Sequence, residues 1–332
     1  MKAVILCAGK STRTYPITLT RPKPLIKVGE KTIIEYNLEA LGQVSKESDD
    51  VDIDEIVLVV GYKKAQIKEF LGNEFDGIKL KYVDQKEQKG TAHALLAVEK
   101  SLEGRFILMM GDNIYSGEDI LNCVKWHNSM LTAKVPDPQN YGVIVEKGGF
   151  MEEIVEKPEE FVSDLINAAL YVLDIGIFSF LKKVKESERN ELEIIDALKP
   201  YSADKNIKLV DSKLWLPIGY PHELLIADKK LRNEENLIGK GSKVEGEVIN
   251  SNIGKNCVIK GSVKDSIILD NCNIEEGSEI TSCVVGQFVK FSGKAYGAVI
   301  GDNVYAKNVA IVKGVKVWPN RKINGLIEEN IE

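Results

Sequence analysis

The chain has 332 residues, 44% of them hydrophobic and 28% charged, which is enough for two globular domains with ordinary cores. Lys and Arg total 44 against 50 Asp and Glu, a net charge of −6, so there is no bulk basic surface for nucleic acid and any phosphate must be held by a few placed cations. No apolar stretch is long enough to span a membrane, and the first, residues 3–8, is too short for the core of a signal peptide.

In chain order, residues 2–7 form a continuous apolar run ending in Ala8-Gly9, the pattern of a buried parallel strand entering a loop. Residues 33–41 carry apolar side chains at helical spacing. A second buried strand is expected at 55–60, closed by Gly61-Tyr62, then a helix at 92–102. A third buried strand follows at 105–110 and ends at Gly111-Asp112-Asn113. This alternation predicts a doubly wound α/β sheet with helices on both faces. Ligands of such sheets bind outside the carboxyl ends of the strands, which points to the loops after Cys7 and Met110.

After about residue 236 the pattern changes: aromatics thin out and short β-branched pairs alternate with Gly, Asn, Asp and Ser. Ile238, Ile253 and Ile268 are fifteen apart, and Val244, Ile259 and Ile274 follow each of them by six. Val248 and Val263 keep the same step, and Ile280, Val285-Gly286 and Ile300-Gly301-Asp302-Asn303-Val304 continue the theme. Apolar residues six apart with Gly or Asn at the turns predict a hexapeptide β-helix, with an irregular antiparallel sheet as the alternative. The five cysteines, Cys7, Cys123, Cys257, Cys272 and Cys283, show no CxxC pairing and read as reduced, buried residues of a cytoplasmic protein.

The chemistry-bearing stretches begin at Ala8-Gly9-Lys10-Ser11-Thr12-Arg13. A glycine-opened turn from a buried strand offers backbone N–H groups to phosphate oxygens, and Arg13 adds a bidentate cation. It is not a Walker A loop, because Val4 stands where the first Gly is required. Lys23 lies between Pro22 and Pro24, which stiffen the backbone around that cation. Taken singly, each stretch is equally an ordinary loop. The same holds for Asp112-Asn113 as a strand-ending turn, Glu156-Lys157-Pro158 as a solvated loop and Asn167 as a backbone cap.

Together, Gly9-Lys10-Ser11-Thr12-Arg13, Tyr15-Pro16-Ile17-Thr18 and Arg21-Pro22-Lys23-Pro24 resemble the signature of the nucleoside-diphosphate-sugar pyrophosphorylases. That family includes glucose-1-phosphate thymidylyltransferase and N-acetylglucosamine-1-phosphate uridylyltransferase. The resemblance continues in order through Gln85, Gly90-Thr91-Ala92-His93-Ala94-Leu95, Gly111-Asp112-Asn113, Tyr141-Gly142-Val143, Glu156-Lys157-Pro158, Asn167 and 193–196. It implies a Rossmann-like doubly wound mixed-sheet nucleotidyltransferase domain over 1–232, a left-handed parallel β-helix over 236–322 and a C-terminal tail over 323–332.

The resemblance also implies roles. Ala8, Gly9, Lys10, Ser11, Thr12 and Arg13 would wrap the triphosphate of UTP or dTTP, with Arg13 and Lys23 on the phosphates that leave as pyrophosphate. Gln85, Gly90 and Thr91 would hold the nucleotide, with Gln85 on the pyrimidine edge, where one amide can pair a carbonyl and an imide N–H. Asp112 would hold Mg²⁺, a hard cation suited to carboxylate oxygen. Gly142, Glu156, Lys157 and Asn167 would bind the hexose 1-phosphate, either glucose 1-phosphate or N-acetylglucosamine 1-phosphate. His93 is expected to pack near the start of its helix.

Three positions depart from the family pattern. Pro217, within Trp215-Leu216-Pro217-Ile218-Gly219, replaces an expected metal-binding Asp, leaving Asp112 alone or helped by Asp211. Ser11 and Ala169 stand where Gly is commoner. The alternatives are a catalytically weak sugar-nucleotide-binding regulatory homologue, motivated by Pro217, and a hexapeptide acyltransferase. The latter lacks the histidine it needs, since His93, His127 and His222 all precede the repeats. Paired β-helix faces predict a homo-oligomer, with neither nucleic acid nor membrane as partner.

Overall fold

Four parallel strands, β1 (Lys2–Cys7), β2 (Glu55–Val60), β3 (Ile78–Asp84) and β4 (Arg105–Met110), stand in the order β4-β1-β2-β3 on one side of a ten-stranded sheet in a computed structural model. The structure describes residues 1–332 apart from 49, 188 and 189. Lys2 pairs with Glu55 on one side and Phe106 on the other. The chain therefore runs outward from β1 to β3 and returns to β4, so strand order reverses between β1 and β4. Crevices of doubly wound sheets lie at this reversal.

The helices are α1 (Ile33–Glu47), α2 (Lys64–Leu71), α3 (Thr91–Leu96), α4 (Gly117–Val124), α5 (Ile177–Leu181) and α6 (Ile194–Lys205). Val4, Val57 and Val59 share one apolar cluster with residues of α3, α5 and α6. Ile5, Ile56 and Leu58, which point the other way, are also fully buried. Both faces of the sheet are thus covered, which is why these strands read as unbroken apolar runs. The helix expected at 33–41 runs on to Glu47 and buries Leu38, Leu41 and Val44. The one expected at 92–102 ends at Leu96 and tightens into a 3₁₀ turn, Glu99–Ser101, which brings Val98 and Leu102 into the core cluster.

The sheet continues as a mainly antiparallel half that the strand-helix alternation did not reveal. Its strands are β5 (Ser129–Lys134), β6 (Gly142–Lys147), β7 (Phe150–Glu156), β8 (Leu165–Asp174) and β9 (Lys208–Asp211), in the order β6-β7-β9-β5-β8-β4. Strand β8 runs antiparallel to both β4 and β5, whereas β9 runs parallel to β5. The whole is a mixed α/β sheet.

The residues cluster into two units, one of Met1–Gly9 and Ile34–Trp215, the other of Lys10–Ile33 and Leu216–Glu332. The second unit opens with three 3₁₀ turns, Thr12–Thr14, Ile17–Leu19 and Lys23–Leu25, and a short hairpin of Lys27–Val28 with Lys31–Thr32. It resumes with α7 (Pro221–Leu231), whose N-terminus is closed by Glu223 accepting from the Tyr220 amide at 2.7 Å.

From Leu237 to Ile327 every strand pairing is parallel, which excludes the antiparallel alternative. Ile238, Ile253, Ile268, Val285, Ile300 and Val317 form one ladder, and Val244, Ile259, Ile274, Phe291, Ala306 and Ile323 form another. The step of fifteen residues holds from Ile238 to Ile268. From Ile268 to Val285 it becomes seventeen, because four residues instead of two separate the second and third strands of that coil. Each coil turns through two left-handed corners: Asn256, Asn271, Phe288, Asn303 and Asn320 mark one, and Asn250, Asp265, Ser282, Gly297 and Gly314 the other, with φ between 45° and 87°.

Residues 323–332, expected as a tail, extend the stack instead. Lys322–Ile327 pairs in parallel with Tyr305–Ile311, and Ile331 bridges Val317. The inward alternation simply continues, burying Ile323 and Ile327. The three cysteines of this unit also have structural work. Cys257 Sγ accepts from the Cys272 amide at 3.4 Å, and Cys283 Sγ accepts from the Ala298 amide at 3.3 Å, so the thiols stitch successive coils. All five cysteines are buried and free of disulfides.

Candidate functional site

In the first unit the exits of β1 and β4 lie against each other at the point of strand reversal. The Gly111 amide donates to Leu6 O at 2.9 Å, and a Cβ at Gly111 would stand 2.8 Å from that same oxygen, so only glycine fits. The next strand leans on the same exit: the Tyr62 amide donates to Ala8 O at 3.0 Å, and a Cβ at Gly61 would come within 2.9 Å of it. Ala8 is buried and Gly9 is exposed just beyond. Asp112, half-buried, sits beside this exit. Burial and then the Asp112 charge push the Cys7 thiol far up, so it stays protonated. Burial likewise raises the Tyr115 hydroxyl, again with Asp112 contributing.

Gln85 follows β3 directly, its amide held by Val60 O at 2.8 Å. Its buried side chain uses Nε2 for Gly90 O at 3.1 Å and meets His93 Nδ1 at the same distance. His93 therefore packs at the start of α3, as expected, and orients Gln85. Gly90 has φ +94°, and a Cβ there would overlap Leu192 O. The Ala92 amide donates to Leu192 O at 2.9 Å and the Ile194 amide to Thr91 Oγ1 at 3.0 Å. The 90–91 turn is thereby locked to the 192–196 stretch, and the Thr91 hydroxyl is engaged by backbone.

On the antiparallel side Gly142 stands opposite Glu156 across β6 and β7. A Cβ at Gly142 would lie 3.3 Å from Glu156 Oε2, so the missing side chain leaves room for that carboxylate. Lys157 adopts φ +47°, is anchored through its amide to Tyr141 O at 2.9 Å, and brings Nζ to 3.7 Å from Glu156 Oε1. Asn167 sits at an irregularity in β8. Its Nδ2 donates to Tyr171 OH at 2.7 Å and its Oδ1 accepts from the Ala169 amide at 2.9 Å. Ala169 has φ +59°, which accounts for the commoner Gly there. Tyr115 OH donates to Ala168 O and Ala169 O at 3.0 and 2.9 Å. Sequence reasoning missed Tyr115 and Tyr171. The first ties the strand after Asp112 to the Asn167 bulge, and no local motif announces it.

Lys10, Ser11, Thr12, Arg13 and Lys23 belong to the second unit. Ser11 has φ +54°, a left-handed position that again suits glycine. Its carbonyl accepts from the Thr14 amide at 3.1 Å, Thr14 Oγ1 at 2.9 Å and Thr18 Oγ1 at 2.8 Å, so the loop is pinned by its own threonines. Lys10, Thr12 and Arg13 are exposed. The Arg13 guanidinium stacks over the Tyr220 ring at 4.9 Å, a cation–π contact that limits its freedom. Lys23 contrasts with it: the residue is 3% exposed and Nζ donates to Ile218 O at 2.6 Å. Tyr220 and Ile218, which hold these two cations, also escaped the sequence reading.

Asp211, the alternative second carboxylate, ends β9 and accepts from Thr132 Oγ1 at 3.3 Å. Among the described residues no three His, Cys, Asp or Glu side chains gather as a metal cage. One or two carboxylates completed by waters and substrate phosphates make a donor set suited to Mg²⁺, a chemistry that the Asp112 carboxylate matches.

Residues 2–234 match the Nucleotidyl transferase family, and residues 226–331 match the GMPPB C-terminal domain. A "Bifunctional protein GlmU" from Methanococcus maripaludis is 37% identical over 259 residues, covering 76% of this chain and 58% of that protein. The chain thus matches little more than half the length of that relative. A "UTP--glucose-1-phosphate uridylyltransferase AglF" from Haloferax volcanii is 34% identical and is covered over 98% of its length by 70% of this chain. Among solved structures, a glucose-1-phosphate thymidylyltransferase from Bacillus anthracis in complex with sucrose superposes with a TM-score of 0.64 at 30% identity, over 72% of this chain and 98% of that one. A UDP-glucose pyrophosphorylase complexed with UDP-glucose shares the fold, with a TM-score of 0.62 at 23% identity over 70% of this chain and 99% of that one. With the glycine-lined strand exits in place and the family match covering most of the chain, the protein belongs to the nucleotidyl transferase family.

Proposed function

We propose that the chain transfers a nucleotidyl group from UTP or dTTP to glucose 1-phosphate or N-acetylglucosamine 1-phosphate, forming a nucleoside-diphosphate sugar and pyrophosphate. The observation that carries this reading is the strand reversal at β1 and β4, where glycines at 9 and 111 open the backbone beside Asp112. A phosphate oxygen of the sugar phosphate attacks the α-phosphorus in line and pyrophosphate leaves. No protein nucleophile is needed, so the chain contributes positioning and charge neutralisation.

The backbone after β1 approaches phosphate oxygens, and Arg13 and Lys23 take the leaving pyrophosphate. Gln85, with Nε2 committed to Gly90 O and His93, offers Oε1 to the imide N–H of a uracil or thymine. Gly142, Glu156 and Asn167 receive sugar hydroxyls, and Lys157 meets the sugar phosphate. Asp112 is the carboxylate that would hold Mg²⁺, which when bound neutralises charge shared by the two phosphate compounds. The parallel stack is read as a left-handed β-helix that serves assembly of a homo-oligomer, testable by light scattering.

Pyrophosphate release and product mass, measured over a panel of nucleoside triphosphates and sugar 1-phosphates with Mg²⁺, test the reading. Arg13→Ala and Asp112→Asn are each expected to cost about 10²–10³-fold in turnover, the scale for losing one electrostatic contact to the transition state. Turnover unaffected by either variant overturns the assignment. A second reading, a regulatory sugar-nucleotide binder, is favoured by Pro217. It predicts ligand-dependent melting shifts without pyrophosphate release by the parent protein.

A further inference from the structure

Within the second unit, the segment carrying Arg13 and Lys23 is fastened to the parallel stack at two points. At the first, the Arg21 guanidinium pairs with the Asp302 carboxylate, with side chains 13% and 8% exposed. Among the described residues Arg21 Nε is buried with no hydrogen-bond partner, and Asp302 is the carboxylate that the guanidinium pairs with. The other Asp302 oxygen, Oδ1, accepts from the Gln287 amide at 2.8 Å and so belongs to a corner of the stack. At the second point, Asp228 of α7 accepts from the Gly29 amide at 2.8 Å, while Asn252 Nδ2 donates to Gly29 O at 3.0 Å and also to Asp228. Asp228 is in turn paired with Arg232 at 2.7 Å, and all of these groups are buried. The two grips bracket Lys23.

A repeat of the fold supplies an internal reference. The ladder Ile268, Val285, Ile300 places Asp270 at the same corner as Asp302, two coils earlier. Asp270 makes the same corner bond, accepting from the Lys255 amide at 2.7 Å. The corner therefore explains one oxygen of each aspartate, and Asp302 differs in directing the second at Arg21. Taking two charges out of water is costly and adds little net stability, so such a pair is better understood as setting a geometry.

We propose that Asp302 is a positioning residue for the nucleotide: through Arg21 it makes the C-terminal stack fix the segment that presents Arg13 and Lys23. This rests on the nucleotidyl-transfer reading above for its kinetic consequence, though not for its structural one. Misplacing a charge-neutralising group by about 1 Å is enough to cost catalysis about a hundredfold. The stack then acts on the chemistry within each chain as well as on assembly.

The test compares Asp302→Asn, Arg21→Ala, their double variant and Asp270→Asn in the full chain. The readouts are KM for each substrate, kcat, and amide hydrogen exchange over residues 10–33. Both single variants at the pair are expected to lower kcat/KM for the nucleoside triphosphate by about tenfold while leaving KM for the sugar phosphate within about twofold. The double variant should be no worse than the poorer single, because it also removes the unpaired guanidinium. Arg21→Lys, which keeps the charge, should restore part of the loss. Exchange over 10–33 should quicken in Asp302→Asn and stay at the parent rate in Asp270→Asn. Equal behaviour of Asp302→Asn and Asp270→Asn in exchange, or additive losses in the double variant, overturns the proposal. A parent chain that releases no pyrophosphate removes the functional reading instead, and the exchange comparison then decides the fastening by itself.

Discussion

The sheet of the first unit and the stack of the second both rest on parallel strands, yet they encode pairing differently. In the sheet, Lys2 finds Glu55 and Phe106, partners separated by whole helices, and nothing in the strand itself names them. In the stack, each strand pairs with the one a coil away, at a step of fifteen to seventeen residues, so the period writes the register. The sheet strands β1, β2 and β4 are six residues long and largely buried on both faces, whereas most stack strands are two or three residues held by corners. A sheet position is thus specified by its packing and a stack position by its corner.

Truncating the two cores should produce the largest effect. Leu108→Ala in β4 and Ile274→Ala in the stack each remove a fully buried side chain and should cost about 2–5 kcal/mol. Calorimetry should show each variant lowering the transition of its own unit most. Equal lowering of every transition by both would erase the distinction between the units.

The corner rule is tested at glycine. A Cβ at Gly254 would stand 2.7 Å from the Asp270 amide nitrogen of the next coil, so Gly254→Ala should cost about 1–3 kcal/mol in urea unfolding. Gly9 has open space around it, and Gly9→Ala should leave stability nearly unchanged while affecting turnover.

Phe288 sharpens the comparison from the other side. It occupies a left-handed corner that the neighbouring coils give to Asn, and its ring is 53% exposed. Phe288→Asn should raise stability by about 1 kcal/mol, the cost of φ > 0 for a bulky residue. No gain in the unfolding midpoint would show that corners in this stack do not select their residues. The smallest effect is expected at the bulge of β8, where Ala169→Gly relieves φ +59° and should stabilise by a few tenths to about 1 kcal/mol.

How much of the site was legible depends on how each residue is held. The glycine-opened exits of β1 and β4 stood out because a buried apolar run must end somewhere, and close backbone approach demands glycine. Gly142 beside Glu156 and the left-handed Ala169 likewise give physical grounds for motifs that looked like loops in one dimension. Tyr115, Tyr220 and the Ile218 carbonyl act across folded distance, so nothing near them in the chain marked them, whereas Tyr171 meets Asn167 from only four residues away, through the bulge between them. The strands β5–β9 were obscure for the same reason, since only tertiary neighbours set their order.

The amino-acid sequence by itself determined the local quantities: three buried strands at residues 2–7, 55–60 and 105–110, and the repeat that becomes a parallel stack. These follow from side-chain periodicity and turn chemistry, which act over a few residues. Only the tertiary structure decided that Lys10–Ile33 joins the C-terminal residues, that Lys23 is buried against a carbonyl while Arg13 lies exposed on an aromatic ring, and that Asp302 holds Arg21. Those are contacts between groups brought together by long-range packing, and their energies depend on burial, which no local stretch of sequence specifies.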